Sequence, residues 1–421
     1  MDGLRTRGQP VAVAAIRAML GSGLPHALLL AGPAGVGKTT LALDIAAALL
    51  CQGEADLPRP CRACRGCRMV EHGNHPDLHR LAPVGAGGFV PIGGRDERGV
   101  RDLVGELALM PVEAGARVAI IEAAHRMTED AQSAFLKTLE EPPAGTTIIL
   151  CTDDEERMLP TIRSRCARVR LGPMGPRDVE LVLAEQGAAD APTAALLARI
   201  TDGRPGHAIA YARAPEAVVL RSEVARTLLD LLDASVTGRI TGIRELGTRS
   251  VELVRALDAG AARAAAAAGI DTAGASGRGR SRSRGSRAAG QGIATKNAAA
   301  QPADPATGAA ADTIDEDAEA ASGDRPARLP AAERRRWAIA LLEIWRAVVR
   351  DVGLVVVVDR GAVRDSDLLD DIVPVAAMLD TAAVGAALRR LDVAAERLEG
   401  NVSPELVLDV LALHWAPSSG A

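Results

Sequence analysis

The clearest chemistry in this sequence lies in a glycine-rich segment with the pattern G-x-x-x-x-G-K-T. Its members are Gly32, Pro33, Ala34, Gly35, Val36, Gly37, Lys38 and Thr39. The apolar run Leu28–Ala31 predicts a strand before it, and Leu41–Leu50 predicts a helix after it. In this context the glycines let several backbone N–H groups point at one phosphate at the helix N-terminus. We therefore predict a site for ATP and Mg²⁺ that includes Thr40, with Lys38 at the β- and γ-phosphates and Thr39 at the metal. A glycine turn that binds nothing is the alternative, and hydrolysis is a separate question.

A second chemical feature is a cluster of four of the six cysteines, spaced C-x9-C-x2-C-x2-C. They are Cys51, Cys61, Cys64 and Cys67. In a cytoplasmic protein this spacing indicates structural zinc rather than disulfides. Four thiolates close a tetrahedral site and leave no open position for catalysis. The nearby His72 and His75 are predicted to be surface residues, and Cys151 and Cys166 to be ordinary strand or loop residues.

Size and charge limit the possible classes of protein. A chain of 421 residues is expected to form two to four domains. Its net charge of −5 gives no global basic field, so any contact with DNA has to be local. We find no signal peptide and no apolar run of membrane-spanning length, which predicts a soluble cytoplasmic protein without a membrane partner.

The first part of the chain alternates strand and helix patterns. Strands are predicted near 28–31, 77–82, 118–121 and 147–151, and helices near 5–21, 41–50, 100–109 and 128–139. This alternation predicts an α/β domain with a parallel sheet and helices on both faces. Phosphate would then bind at the carboxyl ends of the strands. Residues 51–76 are interpreted as an insertion pinned by metal, and residues 83–98 as a mobile loop.

From Pro173 onwards the pattern is helical, with one interruption. Helices are predicted near 177–186, 191–201, 203–208, 217–234, 239–259 and 331–415. Residues 261–328 hold an alanine tract, an arginine run and an acidic run with few large apolar residues. Such a segment cannot offset its ordering entropy, which predicts a disordered linker. The arginine run could touch nucleic acid, but no aromatic residues interleave with it for base stacking, and a solvated linker is favoured.

Several motifs together resemble one known family. Ala134–Pro143 reads A-F-L-K-T-L-E-E-P-P, Leu159–Cys166 reads L-P-T-I-R-S-R-C, and Ile121–His125 follows a buried strand. With the cysteine cluster and Asn401–Leu406, these motifs resemble the bacterial DNA polymerase III clamp loader, of the AAA+ class. The resemblance covers the chain except residues 261–328.

The resemblance implies a domain plan. Residues 1–172 would form the AAA+ P-loop domain with a zinc module at 51–76, and residues 173–212 a small helical lid. Residues 213–260 and 329–421 would form an all-α C-terminal collar, split by the linker at 261–328.

The resemblance also assigns roles to site residues. Counting back from the L-K-T-L-E-E block aligns Glu122 with the Mg²⁺-binding Asp of the family's motor subunits and Ala123 with their catalytic Glu. A slip by one would put Ile121 at the metal position instead, so one of the two acidic groups is absent in either register. Thr152 lies near the position that senses the γ-phosphate. The sensor arginine is also absent, because His207 or Gly206 falls at its position. Arg204 is displaced from that position. These departures imply that the chain's own ATPase is weak or absent.

Arg165, in the S-R-C segment, matches an arginine that in the family faces the ATP of a neighbouring subunit. There a guanidinium stabilises the transition state in trans, as an arginine finger. The alternative is an ordinary surface charge. A chain that keeps the finger and lacks the catalytic carboxylate resembles the delta-prime type of subunit, the stator of the complex.

The predicted function is therefore to help load the sliding clamp onto primed DNA within a pentameric complex. The expected partners are the motor (gamma/tau) and delta subunits, the clamp and primed DNA. One alternative is a gamma/tau motor subunit, against which Ala123 argues. Another is a stand-alone P-loop nucleotide enzyme, which would need neither the S-R-C arginine nor a collar.

Overall fold

The computed structural model describes most of the chain, and the described residues other than Leu329 all belong to one compact first unit. The described residues are 3–54, 58–84, 88–94, 98–113, 115–267, 329–357, 360–400 and 402–415. The features below all lie in the first unit.

The centre of the N-terminal part is a parallel five-stranded sheet. Its strands are β1 (Ala27–Ala31), β2 (Leu78–Leu81), β3 (Arg117–Ile121), β4 (Thr146–Thr152) and β5 (Ala167–Arg170). They lie in the order β2-β3-β4-β1-β5, and every neighbouring pair is parallel. The predicted parallel sheet is confirmed. Because Ala31 pairs with Thr152 and Ile121 with Leu150, the carboxyl ends of β1, β3 and β4 meet at one edge.

Helices cover both faces of this sheet. They are α1 (Pro10–Ser22), α2 (Lys38–Leu49), α3 (Arg65–Glu71), α4 (Val100–Leu107), α5 (Glu129–Glu140) and α6 (Pro160–Arg163). Leu28 and Leu30 belong to a core cluster shared with α1 and α2, whereas Leu29 belongs to a second cluster with α4 and α5. Alternate residues of β1 thus face opposite sides, and all three leucines are fully buried. Each contributes about 1.5–3 kcal/mol through burial.

The first helix begins later than the pattern predicts. Helix α1 starts at Pro10, not at residue 5. Residues before it are not helical, and Asp44 of α2 accepts hydrogen bonds from Thr6 N (2.8 Å) and Thr6 Oγ1 (2.6 Å). Within α1, Val11 is 82% exposed, whereas Val13 is buried. A buried carboxylate contact, which periodicity does not encode, fixes the chain before the helix.

The remainder of the described chain is helical, as predicted. Its helices are α7 (Pro176–Glu185), α8 (Ala191–Ile200), α9 (Pro205–Ala212), α10 (Pro215–Asp230), α11 (Val236–Ala267), α12 (Ala331–Val356), α13 (Leu369–Ala376), α14 (Thr381–Glu399) and α15 (Pro404–Leu413). Helix α11 continues seven residues beyond 260, to Ala267, so the predicted linker boundary at 261 is wrong. The rest of the predicted linker, 268–328, lies outside the described residues.

The helical part packs around one apolar face of α12. Trp337, Leu341, Ile344, Trp345 and Val348 are all buried. The ring of Trp345 meets that of Trp415 edge-on, with centroids 5.0 Å apart. Within the described ranges, no single helix is long and apolar enough to cross a membrane. One bent pair of helical segments, Ser366–Ala376 and Thr381–Glu399, satisfies the length and composition test together.

Candidate nucleotide site and cysteine centre

The glycine-rich loop between β1 and α2 has the backbone of a phosphate-binding loop. Gly32, Gly35 and Gly37 have φ of 151°, 79° and 102°, values that other residues rarely adopt. At Gly32 a Cβ atom would lie 2.0 Å from the carbonyl oxygen of Leu171, so only glycine fits there. Gly37 is the N-cap of α2, which places the positive end of that helix dipole at the loop. The local structure is that of an anion site.

A cavity of about 440 Å³ opens over this loop. Its walls come from the loop, the ends of β3 and β4, the N-terminal segment and α7 and α9. The residues that line it include Arg5, Ala34, Gly35, Val36, Gly37, Lys38, Thr39, Thr40, Glu122, Ala123, Asp153 and Gly206. The volume suits a ligand of nucleotide size. The structure thus brings together most of the predicted nucleotide-binding residues, whereas Gly32, Pro33 and Thr152 are not among the residues lining the cavity.

Lys38 is held at the mouth of the loop by three contacts. Its Nζ atom donates to the carbonyl oxygens of Gly32 (2.6 Å) and Pro33 (2.6 Å). It also lies 2.6 Å from Oδ1 of Asp153. The lysine is buried. Asp153 was missed by sequence reasoning, and the only available signal was its position directly after a strand that ends beside the loop.

The two positions after β3 differ in chemistry. Glu122 is paired with Arg80, whose Nη2 lies 2.6 Å from Glu122 Oε1. The next residue, Ala123, has a left-handed backbone (φ 48°) and ends in a methyl group. It lines the cavity and brings no carboxylate to it. The Glu122 carboxylate is the one acidic group that this strand end supplies.

Thr152 is turned into its own loop. It is fully buried, its Oγ1 donates to Asp154 O (2.7 Å), and it accepts from Asp154 N (3.2 Å). Behind the loop, the His125 side chain is only 7% exposed, and its Nδ1 accepts from Asp153 N (3.2 Å). Burial lowers the pKa of His125, which favours the neutral ring that this acceptor role needs. These contacts fix the end of β4 beside the phosphate loop.

The start of α9 packs directly on the phosphate loop. Gly206 N donates to Gly35 O (2.8 Å), and a Cβ at Gly206 would lie 3.1 Å from the Gly35 backbone. The His207 ring covers Gly35, and burial, with nearby Arg204 adding to it, lowers its pKa. Arg204 itself pairs with Glu343 of α12 (3.2 Å). Of the two positions aligned with the family's sensor arginine, Gly206 packs so closely on the Gly35 backbone that even a Cβ atom would require a small shift.

Arg165 lies outside this cavity. Its Nη2 is 2.6 Å from Oε1 of Glu140, and its Nη1 donates to Thr161 O (2.9 Å). The side chain is 36% exposed. It does not line the nucleotide cavity of its own chain. If Arg165 acts on a nucleotide, that nucleotide belongs to another molecule.

The four clustered cysteines come together as the spacing predicts. Their Sγ atoms all lie within 4.8 Å of one another. Zn–S bonds of about 2.3 Å in a tetrahedron place sulfurs about 3.8 Å apart, and Cys51 and Cys64 are 3.9 Å apart. Backbone N–H groups of Ala63 and Cys64 lower the pKa of Cys61 to about 6, which favours the thiolate. The donor set therefore fits zinc.

A buried carboxylate joins this module to α2 and the N-terminal segment. Arg62, in the cysteine module, is ion-paired with Asp44 of α2, and its Nε donates to Gly3 O (2.6 Å). His72 is exposed as predicted. His75 is buried, contrary to the prediction, because its Nδ1 accepts from Asp77 N (3.1 Å) in the packed segment before β2.

Comparison with known proteins identifies what the N-terminal part resembles. Residues 8–175 match the family model described as DNA polymerase III, delta subunit. The delta' subunit of Pseudomonas aeruginosa is 41% identical over 143 residues, 34% of this chain and 42% of the relative. The Escherichia coli delta' subunit is 37% identical over 187 residues, 44% of this chain and 54% of the relative. This chain resembles an AAA+ clamp-loader subunit like delta-prime.

The delta-prime resemblance is confined to part of each protein. The chain spans about half the length of these delta-prime relatives. The Escherichia coli tau subunit is also similar, at 32% identity over 183 residues, 42% of this chain and 27% of tau. The delta-prime-like region, 8–175, contains the phosphate loop, the cysteine cluster and Arg165.

Two solved structures from Thermotoga maritima are similar to part of this chain. The RuvB Holliday junction branch migration motor matches with a TM-score of 0.35 and 18% identity, over 51% of this chain and 63% of RuvB. A protein related to the DNA polymerase III gamma subunit matches with a TM-score of 0.33 and 16% identity, over 58% of this chain and 82% of its own.

Proposed function

We propose that this chain is the delta-prime subunit of the DNA polymerase III clamp loader. As the stator it helps load the sliding clamp onto primed DNA, and Arg165 serves as the arginine finger for a neighbouring ATPase subunit. The observation that carries this proposal is that Ala123, which the resemblance aligns with the catalytic carboxylate of the motor subunits, lines the cavity with only a methyl group.

The missing carboxylate bears directly on hydrolysis. Attack on the γ-phosphate needs a group that orients and polarises water. Ala123 offers no such group, and Glu122 is already paired with Arg80. The cavity can hold ATP and Mg²⁺ through Lys38 and Thr39 with little turnover. A nucleotide at this site then has a structural role.

The surface position of Arg165 supports its action in trans. A guanidinium placed against a transferring phosphoryl group stabilises the charge of the transition state, worth about 10³–10⁵ in rate. Arg165 is partly exposed and outside its own cavity, so it is available to a neighbour. To reach that phosphate it exchanges the carboxylate of Glu140 for phosphate oxygens.

The remaining elements have supporting roles in the proposal. The motor and delta subunits contact the AAA+ domain and a collar formed by α10–α15. Zn²⁺ bound by the cysteine cluster stabilises the insertion and does no chemistry, because four thiolates fill its coordination shell.

One other candidate has a specific observation in its favour. The complete phosphate loop and the open cavity suit a gamma/tau motor, and tau and gamma relatives are 32–35% identical to part of this chain. A motor also needs the polarising group that Ala123 does not supply, and delta-prime is therefore preferred.

Co-assembly tests the proposal. The purified chain is mixed with the motor and delta subunits of its own organism and separated by size exclusion. We expect one large complex that forms only when this chain is present together with the other subunits. A chain that elutes alone contradicts the proposal and favours a stand-alone nucleotide enzyme, and a chain that replaces the motor subunit indicates the gamma/tau alternative.

A further inference from the structure

We propose that Asp153 is an internal counter-ion that competes with nucleotide phosphate for Lys38 and so sets the affinity of the cavity. This inference rests on the proposed nucleotide role of the phosphate loop. Neither the motif nor the family resemblance assigns a role to Asp153. Under this proposal, nucleotide binding exchanges the Lys38–Asp153 ion pair for an ion pair between Lys38 and phosphate.

The contacts of Lys38 define the exchange. An ammonium group has three hydrogens to donate. Three acceptors surround Nζ at 2.6 Å each, two loop carbonyls and Oδ1 of Asp153. A phosphate oxygen therefore reaches Lys38 only by displacing an acceptor. The carbonyls of Gly32 and Pro33 belong to the loop itself, which leaves the Asp153 carboxylate as the partner to be displaced.

Asp153 is held in place on both sides. Its backbone N–H donates to the buried ring of His125, and its Oδ2 lies 3.9 Å from the Nε2 of that ring. The next residue, Asp154, is tied back to the hydroxyl of Thr152. The carboxylate thus projects from a fixed turn at the end of β4 into the cavity wall. A fixed anion competes more effectively than a mobile side chain, because it loses little conformational entropy in making the pair.

The negative charge of Asp153 also acts directly on a bound nucleotide. Both Glu122 and Asp153 line the cavity, but Arg80 already matches the charge of Glu122. Once Lys38 turns to phosphate, Asp153 faces the nucleotide without that cation and repels it. The Lys38 side chain is 8% exposed and that of Asp153 35%. Because the site is only partly open to water, screening of these charges is incomplete.

Asp153→Asn removes the charge and keeps the shape. Binding of MgATP and MgADP to the purified full-length chain is measured by isothermal titration calorimetry, with thermal unfolding as a check on the fold. We expect Kd to fall about tenfold, a change equivalent to about 1.4 kcal/mol. The matched control is Asp154→Asn, because the Asp154 carboxylate accepts from Glu156 N instead of contacting Lys38. The control should leave Kd within about twofold of the wild-type value.

A second background separates competition for Lys38 from simple repulsion. In a Lys38→Met chain there is no ammonium group that Asp153 could release. Asp153→Asn should then lower Kd by less than half of the roughly tenfold decrease expected when Lys38 is present. The inference is overturned if Asp153→Asn binds nucleotide no more tightly than wild type, or if Asp154→Asn lowers Kd as much as Asp153→Asn does. It is also overturned if the full decrease in Kd persists in the Lys38→Met background, or if no variant binds nucleotide. These measurements use the isolated chain, so their failure is distinct from failure of the co-assembly test.

Discussion

Arg165 and Glu140 form an ion pair within one chain, with Nη2 and Oε1 2.6 Å apart. Glu140 ends α5, in the L-E-E-P-P segment, and Arg165 follows α6, in the S-R-C segment. Two motifs that are separate in the sequence therefore meet at one point on the surface. The pair keeps the guanidinium at a defined place outside the chain's own nucleotide cavity.

The exposure of this pair predicts that it contributes little to stability. Exposed ion pairs contribute about 0.2–1 kcal/mol. Arg165→Ala should lower the free energy of unfolding by less than about 1 kcal/mol, as measured by urea denaturation. Arg221→Ala is the contrast, because Arg221 is buried and paired with buried Asp365. Leaving that carboxylate uncompensated should cost about 3–5 kcal/mol. A large loss with Arg165→Ala would contradict the peripheral role assigned to the residue.

The cysteine cluster predicts bound metal. Metal analysis of the purified chain should find about one zinc per chain, the stoichiometry of one four-cysteine site. Cys64→Ser should abolish it and speed hydrogen exchange in the described parts of residues 51–76, because the metal joins Cys51 to the three cysteines at 61–67. Helices α10–α15 should be unaffected. Cys166→Ser is the control, since Cys166 lies outside the cluster. A folded wild-type chain without metal would rule the zinc site out.

Ala123 predicts that the isolated chain has almost no ATPase. Turnover should stay near the uncatalysed background, because nothing at this position polarises water. Ala123→Glu should raise it only slightly, since Arg204 is engaged with Glu343 and supplies no sensor arginine. Steady-state phosphate release measures both chains, and robust hydrolysis by the wild type would assign it to the motor class.

The sequence predicts those features that local patterns encode. The β1 strand and the phosphate loop are recognisable because a buried apolar run and a spaced glycine motif lie next to each other. Strand β5 was missed, since it has four residues at the sheet edge and only Val169 is buried. The Lys38–Asp153 pair was missed because it joins the ends of two strands, and neither residue's neighbours indicate the other. The start of α1 is not predicted correctly, because a carboxylate distant in sequence, Asp44, binds the backbone of Thr6 ahead of the helix.

In the proposed role, this chain promotes hydrolysis of a neighbour's nucleotide more than of its own. Clamp loaders are reconstituted with wild-type, Lys38→Ala, Arg165→Ala or Arg163→Ala chains, and ATPase stimulated by DNA and clamp is measured. Arg163 is the matched control, because it pairs with Glu156 beside the proposed finger. We predict that Arg165→Ala slows the adjacent site by about 10³-fold or more, whereas Lys38→Ala and Arg163→Ala leave turnover nearly unchanged. A loader crippled by Lys38→Ala and unaffected by Arg165→Ala would contradict the account and make this chain a motor.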